Sequence, residues 1–136
     1  MKEKFVSSLL LILIVLFCGC SNSSEEDIAL KATYYVKYSF KCGNSLYYCS
    51  FTANYMDEKL QMRSRSYGKY VPASEGKKSY SDEIVCGPFK YGDHVVLTIT
   101  DHMNITNSIV EISVSENNSP FALKASGNRS VFYDIK

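Results

Sequence analysis

The feature that most restricts what this chain can fold into is a strict two-residue alternation. Residues 33–42, TYYVKYSFKC, place Val36, Tyr38, Phe40 and Cys42 on one side and Tyr35, Lys37, Ser39 and Lys41 on the other. Successive side chains of an extended strand point to opposite faces, so this pattern describes a strand with one buried face. Gly43-Asn44-Ser45 supplies turn chemistry, and YCSFTANY (48–55) alternates again with Cys49, Phe51, Ala53 and Tyr55 inward. The two segments together read as an antiparallel hairpin.

The same period recurs downstream. After the Tyr91-Gly92-Asp93 turn, HVVLTIT places Val95, Leu97 and Ile99 inward, and residues 101–107 break the pattern. Ile109 to Ser115 resumes it with Val110, Ile112 and Val114 buried. A turn at Glu116-Asn117-Asn118-Ser119 leads to a short strand from Phe121 to Ala125. Gly127-Asn128 then turns the chain into a last strand with Val131, Tyr133 and Ile135 inward. No segment past residue 30 has a convincing helical period. There is no tryptophan but there are 11 tyrosines and 7 phenylalanines, a composition that favours sheet. Six or seven short strands with regular turns predict an all-β fold, a single immunoglobulin-like antiparallel β-sandwich over residues 31–136.

The amino end is of another kind. Lys2 and Lys4 precede an apolar run from Phe5 to Phe17, interrupted only by Ser7 and Ser8. A basic start and a short apolar stretch have the layout of a secretory signal. The run is shorter than the ~20 apolar residues a membrane-spanning helix needs. Phe17-Cys18-Gly19-Cys20 follows, with small Gly19 before Cys20 where a peptidase requires a small side chain. This stretch resembles the lipobox of bacterial lipoproteins, with Phe17 where that family usually has Leu or Val, and Cys18 where it has Ala, Ser or Thr. The resemblance implies removal of residues 1–19 and lipidation of Cys20. Cys-Gly-Cys has the wrong spacing for a zinc or thioredoxin pair. Residues 20–30 then form a lipidated cysteine and a flexible acidic tether through Ser21-Asn22-Ser23-Ser24-Glu25-Glu26-Asp27. Serines and carboxylates after the lipid cysteine look like the surface-export signals of Bacteroidetes lipoproteins. An ordinary solvated linker reads the same way. The expected location is the cell envelope, most naturally the outer membrane, on its periplasmic or its outer face.

Without residues 1–19 the chain keeps 117 residues, enough for one domain, with 13 basic and 13 acidic side chains. Balanced charge provides no drive toward nucleic acid. The strand order resembles small bacterial envelope lipoproteins with an immunoglobulin-like or transthyretin-like sandwich, some of them related to the mycobacterial MmpS envelope proteins. The residues that carry this are Tyr35-Val36-Lys37-Tyr38, Gly87-Pro88-Phe89, Lys90-Tyr91-Gly92-Asp93 and the closing Val110 to Val114 and Phe132 to Ile135 pattern. The resemblance implies the fold and no enzymatic activity, and no cofactor.

An oxidising compartment permits a disulfide among Cys42, Cys49 and Cys86. Cys42 and Cys49 flank the first turn and both point inward, which makes them the expected pair; Cys86 bonded to either is the alternative. The two histidines, His94 and His102, each follow an aspartate. Eight residues of straight strand separate them by about 26 Å, so they cannot share a metal. No nucleophile motif or phosphate-binding glycine loop occurs.

The segment 59–80, KLQMRSRSYGKYVPASEGKKSY, is the most unusual. It sets Lys59, Arg63, Arg65, Lys69, Lys77 and Lys78 against one acid, Glu75, with Tyr67, Tyr70 and Tyr80 between them. Tyrosine gives rigid contact area, and arginine or lysine grips carboxylates and phosphates. Arg63, Arg65, Tyr67, Lys69 and Tyr70 are therefore the expected binding residues, on a projecting loop or hairpin that touches a protein or glycan. The plainer reading is a charged loop that guards a sheet edge against aggregation. Two functions are compatible with all this. One is a lipid-anchored, non-catalytic binding module; the other is an inhibitor or immunity lipoprotein that caps a toxin or hydrolase.

Overall fold

The computed structural model describes residues 31–44, 48–70, 79–103 and 105–136. Eight strands are present: β1 (Tyr34–Asn44), β2 (Tyr48–Met56), β3 (Met62–Tyr70), β4 (Ser79–Phe89), β5 (His94–Met103), β6 (Ile105–Glu116), β7 (Ala122–Gly127) and β8 (Ser130–Asp134). They form two antiparallel four-stranded sheets, in the orders β4-β1-β6-β7 and β3-β2-β5-β8. The expected all-β sandwich is what the chain adopts.

The alternation in the sequence is the alternation in the fold. Along β1, Val36, Tyr38, Phe40 and Cys42 are buried, while Tyr35, Lys37 and Ser39 are only half covered. Phe51, Ala53, Val95, Leu97 and Ile99 line the inner face of the second sheet, and Val110, Ile112 and Val114 complete the first. All join one core.

The expected β1–β2 hairpin does not form. β1 pairs with β4 and β6, β2 pairs with β3 and β5, and the two strands lie in opposite sheets. Alternation says that each strand needs a covered face; it does not say whether the neighbour lies beside it or opposite. Here they are opposite. Phe40 meets Phe51 edge-on at 5.7 Å between ring centroids, and Tyr38 meets Tyr55 at the same distance. The buried Tyr38 hydroxyl donates to the Met56 carbonyl at 2.7 Å, a second tie between the sheets.

The break expected over residues 101–107 is also absent as a loop. β5 runs to Met103 and β6 begins at Ile105, so the chain changes sheets between two strands. Two segments not read as strands, β3 and β4, complete the sheets as edges lying over one another.

The β1 entrance is fastened at one end of the sandwich. Thr33 N–H donates to Asn117 Oδ1 at 3.0 Å, and Asn117 N–H donates back to the Thr33 carbonyl at 2.8 Å. Asn117 and Asn118 have φ of +49° and +63°, a conformation asparagine tolerates well. The 57–61, 90–93 and 117–121 connections and the carboxyl end gather at this same end, because β1 starts where β4 and β6 finish.

Gly87 marks a register irregularity where Tyr34 pairs with Phe89 but Val36 pairs with Cys86. Its φ is +146°, and a Cβ there would lie 2.7 Å from Tyr35 Cδ1 and 3.0 Å from the Tyr34 carbonyl oxygen. Backbone and a packed ring both refuse a side chain. Gly87→Ala is expected to lower stability by about 1–3 kcal/mol. The readout is a lower urea midpoint at an unchanged denaturant slope. An unshifted midpoint would contradict this account of the bulge.

Candidate functional site

Of the basic tyrosine-rich segment, Met62–Tyr70 is strand β3 and Ser79 and Tyr80 open β4, while residues 71–78 lie outside the described residues. The β2–β3 turn is built around Asp57, which is buried although charged. Its Oδ1 accepts from the Lys59 amide at 3.0 Å and the Gln61 amide at 2.9 Å, and its Oδ2 accepts from Arg63 Nε at 2.6 Å. A buried carboxylate is tolerable when its lone pairs are satisfied in this way. The Gln61 amide, then the Arg63 and Lys59 bonds, hold the carboxyl below its ordinary range against the opposing push of burial. Leu60 takes a φ of +57° in the same turn.

Tyr67 points between the sheets. Its ring stacks on Phe51 at 4.9 Å and 16°, and meets Phe40 and Tyr80 edge-on at 5.1 and 5.2 Å. Burial pushes its phenol up to about 12, and its hydroxyl donates to Asp82 Oδ2 at 2.9 Å. Arg65 shares that face of β3, and its Nη1 donates to the same Asp82 oxygen at 3.4 Å. Asp82 stands on β4, in the other sheet. Partial burial raises its carboxyl, but the Glu83 amide, Tyr67 and Arg65 outweigh that, and the net shift is downward. Arg65 and Tyr67 thus close the β3/β4 side of the sandwich, Arg63 fastens the β2–β3 turn, and these three side chains grip the protein's own acids. Inward-turned charge on an edge strand is also a recognised guard against edge pairing. Lys69 and Tyr70 are placed by backbone at the end of β3, and their side chains lie outside the described residues.

The other expected sites separate as follows. Cys20, with residues 1–30, lies outside the described residues. Cys42 is buried, opposite Tyr80 on β4 and Ser108 on β6. Cys49 is placed by its backbone opposite Lys69, and its side chain is not described. Cys86 is six residues along β4 from the partner of Cys42, about 20 Å away at strand rise, which removes a Cys42–Cys86 bond. Cys86 is a free thiol, half-buried, and burial together with Glu58 and Asp57 pushes its pKa up, so it is a weak nucleophile. His94 begins β5, with its Nδ1 2.6 Å from Asp134 Oδ1, while His102 sits on the backbone near the other end of that strand. Among the described residues no three His, Cys, Asp or Glu side chains gather to hold a metal, and no helix is long and apolar enough to cross a membrane.

Among the described residues the broadest exposed surfaces are the two outer sheet faces, and they differ. The β4-β1-β6-β7 face is charged: Lys37 pairs with Glu83 at 3.3 Å, and Lys41, Glu83 and Glu111 border a shallow concavity of about 560 Å³. Val85, Phe121 and Leu123 are exposed toward its other end, with Lys37 over the Phe121 ring at 5.5 Å. The β3-β2-β5-β8 face is a ladder of hydroxyls and amides. Thr52 bonds Ser66 at 3.1 Å, Asn54 bonds Ser64 at 2.7 Å and Thr100 at 3.0 Å, and Thr98 bonds Ser130 at 3.0 Å. Sequence reading overlooked this face because each strand contributes only scattered Ser, Thr and Asn. The signal lay in the outward positions of the same alternation that revealed the core.

The chain matches no protein-family model, no curated protein and no solved structure.

The two depressed carboxyls give a pH dependence of definite sign. Unfolded aspartates titrate near pH ~4. Because the folded values are lower, the stabilisation is complete above about pH 4 and is lost as pH falls through the folded values. Asp57→Asn keeps an acceptor for the turn amides but loses the Arg63 ion pair. It is expected to unfold at lower urea than the parent at pH 7, with the difference shrinking toward pH 2. A gap that stays constant across that range would contradict the assignment.

Proposed function

We propose that this chain is a lipid-anchored lipoprotein of the bacterial cell envelope, held in the outer membrane through Cys20, whose β-sandwich is a non-catalytic binding module. The observation that carries this reading is the order Phe17-Cys18-Gly19-Cys20, acidic tether, sandwich. Two or more acyl chains, at ~0.8 kcal/mol per buried methylene, make such an anchor effectively permanent. Residues 20–30 reach at most roughly 36–40 Å when fully extended, so the domain works close to the bilayer.

The geometry supports binding through sheet faces. β1 is entered from the tether end, and both broad outer faces rise away from that end. The chemistry those faces offer is hydrogen bonding, charge pairing and apolar contact, which suits recognition. A toxin- or hydrolase-capping role would be best served by a protruding element. Among the described residues Arg63 and Arg65 lie along β3 and bond Asp57 and Asp82, which favours the face-binding module.

Growth of the producing organism with labelled palmitate tests the anchor. The native chain is expected to carry label and to sediment with membranes, and Cys20→Ser to lose both. Label and membrane retention that survive the substitution would overturn the proposal.

A further inference from the structure

The β3-β2-β5-β8 outer face has an unusual composition for a protein surface. Its described outward side chains are uncharged from one margin to the other, apart from His94 and Asp134, which pair with each other at one end. A typical surface of this kind is about 25–35% charged. The opposite sheet meets that norm with Lys37, Lys41, Glu83 and Glu111. The asymmetry is confined to one face of one sheet.

The polar groups on this face are ordered by the strand register. Ser66, Thr52 and Thr100 form one cross-strand row; Ser64, Asn54, Thr98 and Ser130 form the next. Neighbouring strands are ~4.8 Å apart, and rows repeat every two residues, roughly 6.7 Å. Each hydroxyl carries one donor and two acceptor sites, so a hydroxyl bonded to its neighbour keeps capacity for a further partner. Beside these rows lies an apolar one. Met62 faces Met56, and Val96 faces Phe132, with Phe132 66% exposed and its ring 5.7 Å from that of His94.

We infer that this face binds a neutral polysaccharide laid along the sheet. A pyranose chain carries hydroxyls at its edges and C–H groups on its ring faces. The hydroxyl and amide rows match the first, and the Phe132–Met row matches the second. An exposed sheet face suits an extended chain rather than an enclosed small molecule. Among the described outward side chains the only formal charge is at the His94–Asp134 pair, so this face offers acidic polymers little to pair with. A protein partner fits less well, because serine is depleted at the centres of protein interfaces. This assignment rests on reading the domain as a binding module, and it names the ligand class and the face.

The test is affinity electrophoresis of the full chain in neutral detergent through gels containing β-glucan, mannan, xylan or starch, with polygalacturonate and heparin as acidic polymers. At least one neutral polysaccharide is expected to retard the protein, equally at 50 and 500 mM salt. Phe132→Ala and Thr100→Glu, both at exposed positions away from the core, are expected to weaken retardation at least ten-fold with unchanged thermal midpoints. Lys41→Ala, on the opposite face, is expected to leave it unchanged. Retardation by none of the neutral polymers, or only by the acidic ones in a salt-sensitive manner, would overturn the inference. So would retardation that ignores both face variants. Capture of an envelope protein that is lost in Phe132→Ala, without polysaccharide retardation, would overturn the ligand class while leaving the binding module standing.

Discussion

Everything in this molecule depends on two pleated sheets covering one another's apolar faces. β1 presents Val36, Tyr38 and Phe40, β2 presents Phe51 and Ala53, and all are buried in the one core between the sheets. Full burial of such a side chain is worth about 1.5–3 kcal/mol, and aromatic pairs add about 0.5–1.5 kcal/mol. The four rings of Phe40, Phe51, Tyr67 and Tyr80 concentrate this at the β3/β4 side. There the core would otherwise be open to water. Asp82 closes it by accepting from Tyr67 and Arg65 across the gap between the sheets.

The inner faces could be read from the sequence almost completely, because burial imposes a period of two wherever one face meets the core. The inward residues expected for β5 and β6 are the buried ones, as are Val131 and Ile135. Pairing was not legible. Alternation is satisfied equally by a neighbour in the sheet and by one across the sandwich, so β1 and β2 looked like a hairpin and are instead opposed. β3 and β4 escaped because their inward positions are partly charged: Arg63 and Arg65 on one, Asp82 on the other. A strand whose buried side ends in ion pairs has no apolar stripe to find.

Arg63, Arg65 and Tyr67 follow the same rule. A run of Arg, Lys and Tyr shows valence but not partners. Asp82 is 15 and 17 residues from the Tyr67 and Arg65 it holds, and Asp57, though only six residues from Arg63, meets it only through the folded turn. Folding engages them. With these side chains engaged in the structure, the broad described surfaces are the two outer sheet faces, one charged and one largely neutral. The neutral face follows from the alternation too, since outward positions are free of the packing demands that the core places on inward ones.

Arg65 and Tyr67 of the basic tyrosine-rich segment, with Asp82, form a clasp between the sheets. A double-mutant cycle measures it most directly: Tyr67→Phe, Asp82→Ala and the pair, each unfolded in urea at pH 7. A hydrogen bond to a charged, half-buried acceptor predicts a coupling of about 1 kcal/mol, with the pair costing less than the sum of the singles. Strict additivity would contradict it, since two residues that do not meet across the gap cannot lock the sheets together.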